Sequence, residues 1–403
     1  MTVSENDGLD SPRPRLLFVG KHLPVPVRGG SSQRTNLLLE ALQTFADVEI
    51  APIGHPGVRE LLEDNNYCVA AVLPPDPSGL WWRLASVFFP GMVRYRARQR
   101  SAEIIRSLWK SGRYAAVVGR YLGPSARAGL HDLPLSFVDI DDLESQKVES
   151  WGNGHPLRCW LAPLASLLSK SMLKAERRVA STLSQAWVSA PEDAAKITGT
   201  RTHVVPNIPF YQAELEGASP DNGPVLFVAS LDYRVNVNAL NRFAAEVWPK
   251  FRARLPEARL RVVGGGLDRD SRRKLENVPG IEMAGFVDNL EEEYRRSLFS
   301  VVPIWEGGGT KIKILESLGF DRTCVVASPS LRGYGAHIID EDALLGAKDE
   351  IEFVGAMERL FNDQALRHRL EKAGAEAVKA HFSREMLANR LRALILPVLW
   401  DKK

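Results

Sequence analysis

Few of the patterns that announce a particular chemistry occur in this sequence. Its three cysteines, Cys68, Cys159 and Cys324, are far apart and odd in number, which argues against a disulfide framework and fits a reducing, cytosolic setting. Neither Cys-x-x-Cys nor His-x-x-x-His spacing occurs, so no metal site is expected. A Gly-Lys-Ser/Thr phosphate loop and a G-x-S-x-G elbow are also missing, which removes the P-loop and serine-hydrolase readings. No window reaches the about 18 consecutive apolar residues of a membrane span. Charge of one sign is lacking too. The formal net charge is +3, and nucleic acid is not expected as a partner.

What is present is ordinary globular material in a generous amount. A chain of 403 residues, 45% apolar and 25% charged, exceeds one domain and fits two. The polar stretch from Met1 to Arg15 has no apolar core, so residues 1–14 read as a disordered lead-in rather than a signal peptide. Short apolar runs then alternate with helical patterns. In the first half they are Arg15–Gly20, Val48–Ala51, Val69–Leu73, Ala115–Gly119, Leu135–Asp139, Ala186–Ser189 and His203–Pro206. Helices are expected over about Ser32–Phe45 and Leu157–Leu183. Residues 207–224 lack periodicity and read as a hinge.

The alternation restarts at Val225–Ala229, with further strands at Arg259–Val263, Ile281–Ala284, Phe299–Ile304, Cys324–Ala327 and Ala343–Leu345. Between them a helix is expected from Val237 to Arg254, and helices follow to Trp400. Strands buried on both faces and separated by helices mean parallel sheets. The fold class is therefore α/β, two Rossmann-like doubly wound domains (15–206 and 225–383) facing a central cleft. The last helix, 384–403, is expected to cross back to the first domain.

Ligands in such folds collect at the carboxyl ends of strands, and the candidate residues lie there. After the Phe299–Ile304 strand comes Trp305-Glu306-Gly307-Gly308-Gly309-Thr310-Lys311, leading into a helix expected to start near Thr310, with Glu316 six residues on. Glycines allow close approach of the backbone, and helix N-termini attract anions. Gly307, Gly308, Gly309, Thr310 and Lys311 thus form a candidate diphosphate cradle, with Glu316 placed for a sugar hydroxyl. Arg234, in the loop after Val225–Ala229, is a candidate second cation. Gly29 and Gly30 follow the first strand and form a second candidate phosphate or acceptor loop. Asp139, Asp141 and Asp142 crowd one strand end, a catalytic signature whose alternative is loop and helix capping. Val263-Gly264-Gly265-Gly266 fails as a dinucleotide loop, because the last glycine position falls on Arg269.

Between Trp81 and Arg113 eight basic residues accompany Trp81, Trp82, Phe88, Phe89 and Met92, against the single acid Glu103. Such a stretch suits anionic lipid at the inner face of a membrane; its alternative is a solvated helix face whose aromatics belong to the core.

Taken in order, Gly29-Gly30, Ser189-Ala190-Pro191-Glu192-Asp193, Val204-Val205-Pro206-Asn207, Leu231–Leu240, Gly285-Phe286-Val287-Asp288-Asn289 and Gly308 through Glu316 resemble the retaining glycosyltransferases of the GT-B fold. The match is to the family-four (group 1) type, which includes mannosyl-, glucosyl- and N-acetylglucosaminyltransferases. The resemblance implies a nucleoside-diphosphate-sugar donor in the second domain and a glycan, lipid-linked or small-molecule acceptor in the first, with no cofactor or metal. It also implies that Glu316 binds the donor ribose, and that the acceptor hydroxyl attacks from the leaving-group face. Two positions depart from the pattern. Gly308 stands where the family has its first glutamate, with Glu306 nearby, and Gly119-Arg120-Tyr121 replaces a histidine. Asp139, Asp141 and Arg120 are therefore the candidates for orienting the sugar. A sugar-nucleotide epimerase and a non-catalytic nucleotide-sugar-binding protein are the alternatives.

Overall fold

The structure, a computed structural model, describes residues 13–27, 29–149, 162–211, 218–306, 309–335 and 337–400. Cys159, Gly307, Gly308, most of the lead-in, part of the hinge and the start of the Leu157–Leu183 helix lie outside these residues.

Two parallel sheets form the frame. The first contains β1 (Arg15–Gly20), β2 (Asp47–Pro52), β3 (Cys68–Val69), β4 (Ala116–Arg120), β5 (Ser136–Asp141), β6 (Gln185–Val188) and β7 (Thr202–Val204), in the spatial order β3-β2-β1-β4-β5-β6-β7. The second contains β8 (Val225–Val228), β9 (Leu260–Val263), β10 (Ile281–Gly285), β11 (Phe299–Val302), β12 (Cys324–Ala327) and β13 (Leu345–Ala347), ordered β10-β9-β8-β11-β12-β13. Leu16 to Val19 in β1 and every residue of β4, β5, β11 and β12 are buried. Helices cover both faces, which is why these strands carry continuous apolar runs rather than an alternation. Strand order reverses between β1 and β4 in one sheet and between β8 and β11 in the other, and these switch points open the two crevices.

Three elements differ from the sequence expectation, each for a local reason. The third strand shrinks to two residues plus a single bridge between Ile53 and Leu73; it lies at the sheet edge, and Pro74 and Pro75 follow without N–H groups. The helix expected from Val237 to Arg254 runs as Arg234–Arg242, a π turn at Phe243–Val247, and Trp248–Arg254, because Pro249 cannot donate into a regular ladder. The helix expected at Thr310 begins at Lys313 and ends at Gly319. Gly309, at φ +79°, turns the chain first.

The C-terminal helix, Arg384–Trp400, lies on the Gly30–Gln43 helix of the first domain. Leu387, Leu391 and Ile395 are buried in an apolar cluster that also holds Leu38, Leu42, Trp187, Leu315 and Leu318. Arg390 donates to the Val204 carbonyl at 2.7 Å, and the Leu394 carbonyl accepts from Gln185 at 2.9 Å. One apolar cluster thus spans both sheets.

Candidate active site

The carboxyl ends of β4 and β5 carry a buried charge network. Arg120 ends β4 and pairs in register with Asp139 of β5. Its Nη1 lies 2.9 Å from Asp139 Oδ2, and its Nη2 donates to Asp141 Oδ2 at 2.9 Å. Arg34, on the Gly30–Gln43 helix, donates from Nη2 to Asp139 Oδ1 at 2.6 Å and from Nε to Oδ2 at 3.0 Å. It also donates to the carbonyls of Val205 and Pro206 and to Asn207 Oδ1. Burial works against every charge here. Yet Asp139 and Asp141 hold Arg34 above its ordinary value, and Arg120 and Arg34 hold Asp141 well below the carboxylate range despite that burial. A buried ionic network of this kind is costly to break and fixes the strand ends.

That network enforces unusual backbone. Tyr121 and Asp141, just after β4 and at the end of β5, both have φ of +63°. Non-glycine residues adopt this only when their surroundings over-determine it, and such strain gathers at functional sites. Here Arg120 stacks 3.8 Å above the Tyr121 ring, and Tyr121 shares a 2.9 Å hydrogen bond with Ser31. Burial, then Arg120, depresses the neighbouring His22 to about 4, so it is neutral near pH 7.

Asp142, the next residue, is only half-buried and turns toward the second domain. A Cβ built on Gly309 would fall 2.2 Å from Asp142 Oδ2, so carboxylate and glycine loop are in direct apposition. Ser189 donates to Asp142 Oδ1 at 3.1 Å. Burial, and then the charge of Asp141, push Asp142 up to about 6. Other contacts knit the same seam. Asn207 Nδ2 donates to Thr310 Oγ1 at 2.6 Å, Arg332 pairs with Asp193, and the Gly333 N–H donates to Glu192 at 3.3 Å.

On the second-domain side, Lys311 and Glu316 are half-buried beside this seam. Burial lowers Lys311 to about 8 although Asp142 opposes it, and burial raises Glu316 to about 7 although Lys313 opposes that. Lys313 is lowered by burial as well. Arg234 is exposed at the first residue of the Arg234–Arg242 helix. A small cavity of about 30 Å³ lies on the first-domain side, lined by Arg94, Tyr121, Arg127, Asp142, Glu144 and Glu176 among others.

The second half resembles a known family in sequence. Residues 223–363 match the sequence profile of the family described as Glycosyl transferases group 1. The second domain is thus similar to group 1 glycosyltransferase domains. No curated protein matches the chain in sequence. Among solved structures, sucrose-phosphate synthase from Thermosynechococcus elongatus superposes with a TM-score of 0.67 at 16% identity, covering 97% of this chain and 100% of that one. A glycosyltransferase from Rickettsia africae gives 0.66 at 12% identity, with 97% and 100% covered. HepE of Anabaena, solved with UDP, gives 0.62 at 11% identity, with 94% and 99% covered. At these identities the likeness shows the fold, GT-B, over nearly the whole chain.

Within this glycosyltransferase fold some expected site residues sit elsewhere than the sequence reading put them. Asp139 and Arg120, expected as catalytic candidates, are fully buried, and their charges pair with each other, Arg34 and Asp141. They underlie the strand ends rather than face the crevice. Asp141 is likewise tied to Arg120, Asn207 and Arg34. Lys311 precedes the helix instead of riding its first turn, and the Thr310 side chain faces Asn207 across the seam. Gly29 caps the Gly30–Gln43 helix, and a Cβ at Gly29 or Gly30 would meet nothing within 4 Å, so that loop borders open space. Arg34 and Asn207 were not among the expected site residues. Asp142 was noticed only as part of the acidic crowd. No local signal separates it from Asp139 and Asp141, because β5 ends at Asp141, whose φ of +63° breaks the strand alternation.

Proposed function

We propose that the protein is a retaining hexosyltransferase that moves a sugar from a nucleoside-diphosphate sugar to an acceptor hydroxyl in the cytosol. The observation that carries this reading is the apposition of Asp142, after β5, with the Gly309–Lys311 loop, after β11, at the seam between the two domains. The fold shared with HepE, which was solved in complex with UDP, supports a uridine or similar nucleoside diphosphate as the donor's leaving group. The departures at Gly308 and Arg120 leave the sugar's orientation to Asp142, whose position Asp141, Asn207 and the arginine pair fix.

In this mechanism Lys311, aided by exposed Arg234, carries the charge that develops on the departing diphosphate. Glu316 accepts hydrogen bonds from the donor ribose. The acceptor oxygen bonds to the anomeric carbon from the same face as the leaving diphosphate departs, and its proton passes to a phosphate oxygen. Asp142 aligns the reacting hydroxyls, and the contacts of Asn207 with Thr310 and of Asp193 with Arg332 close the site against water. No bound metal is needed to balance this step.

Incubation with a panel of nucleoside-diphosphate sugars and acceptor extracts, with a chelator present, tests the reading. Transfer with the donor's anomeric configuration kept in the product, read by NMR, is the expected result. Conversion of the donor alone to an epimer, or nucleotide binding with no transfer to any acceptor, would overturn it.

A further inference from the structure

The first domain presents an apolar face that nothing among the described residues covers. Helix Leu80–Phe88 is inverted: its only buried residue is Ser86, while Trp81 is 84% exposed. Leu80, Phe88, Phe89, Met92 and Leu167 are exposed beside it, on this helix, on Pro90–Val93 and on Ala162–Ala180, which pack together. Half of the exposed large apolar side chains among the described residues lie on these three elements or the junction between them. A patch of bulky aromatics this concentrated marks an interaction site.

The surrounding charge selects the occupant. From Pro77 to Ala102 there is no acidic residue but five arginines, Arg83, Arg94, Arg96, Arg98 and Arg100. From Ala162 to Ala175 the charges are Lys170 and Lys174 alone, both exposed. A face with one sign of charge repels a second copy of itself. Apolar side chains at headgroup depth, ringed by arginine and lysine, fit an anionic bilayer surface. Arg94 then links this face to the site. It caps the Pro90–Val93 helix, lies 2.7 Å from Glu144, and lines the cavity that also holds Tyr121 and Asp142.

We propose that this face docks the protein on an anionic lipid bilayer, with the Arg94–Tyr121–Asp142 side of the first domain next to the headgroups. The docking does not rest on the transferase reading above. Cosedimentation with phosphatidylcholine vesicles, with and without phosphatidylglycerol, tests the docking. The wild-type chain is expected to bind the anionic vesicles at low salt, and a Trp81→Ser/Phe89→Ser/Met92→Ser variant to lose at least about tenfold in partitioning. These side chains are exposed, so the variant should keep its thermal midpoint and its affinity for UDP. No vesicle binding by the wild type, equal binding by the variant, or a dimer that the variant converts to monomer without any vesicle binding would overturn the proposal. Failure to bind UDP with vesicle binding intact would instead strike the transferase reading alone.

Discussion

Asp142 of the first domain lies against Gly309 of the second so closely that one added methyl on the glycine would fall 2.2 Å from the carboxylate. Gly309 also holds φ at +79°, a conformation that a side chain disfavours. Gly309→Ala is therefore doubly penalised. It should push the loop from Asp142, displace Lys311, and lower kcat/KM for the donor by roughly a hundredfold, the cost of about 1 Å of misplacement. A variant with wild-type kinetics would show that this apposition does not matter to turnover.

Lys311 and Glu316 should divide the work of holding the donor. Lys311→Ala and Glu316→Ala are each expected to cut kcat/KM for the nucleotide sugar by about tenfold or more. Lys311→Ala should lower kcat as well, since its charge is needed most as the diphosphate departs. Steady-state kinetics over a range of donor concentration separates the two patterns.

The same pair sets a pH window. Glu316 is raised to about 7 by burial, so its carboxylate is lost as pH falls through that value. Lys311 is lowered to about 8 by burial, so its cation is lost as pH rises through that value. Donor kcat/KM should therefore peak between about 7 and about 8 and fall on both sides. Glu316→Gln should flatten the acid limb and Lys311→Arg the alkaline one. A profile that neither substitution alters would assign the limbs to other groups.

Arg120 is predicted to act on the fold before the chemistry. Arg120→Met strips Asp141 of its 2.9 Å partner and leaves Asp139 to Arg34 alone. Breaking one side of a buried ionic network costs about 3–5 kcal/mol. The expected sign is a lowered thermal midpoint, with donor affinity in the folded fraction less affected than turnover.

Much of the fold was legible because buried parallel strands advertise themselves. Arg15–Gly20 reads as a strand over its full observed length, since four consecutive apolar residues there face helices on both sides. The site was less legible, for two physical reasons. Asp139 and Asp141 read only as an acidic crowd at a strand end, whereas the partners that bury them, Arg34 and Arg120, come from 105 and about 20 residues away. Nothing local signals such pairing. Periodicity also extended the helix back to Thr310, but a tertiary contact from Asn207 and the turn at Gly309 delay its start to Lys313. By contrast, the segment Ser189–Asp193 stood out only by resemblance, and the structure gives it a physical task, closing the seam through Asp193 and Glu192 onto Arg332 and Gly333.

The most direct test of the account is calorimetric titration of the wild-type protein and of Lys311→Ala with UDP and other nucleoside diphosphates at pH 7.5, within the window set by Glu316 at about 7 and Lys311 at about 8. The account predicts saturable binding of at least one diphosphate by the wild type and an affinity about tenfold weaker in the variant. No binding of any nucleoside diphosphate, or binding that Lys311→Ala leaves unchanged, would contradict it.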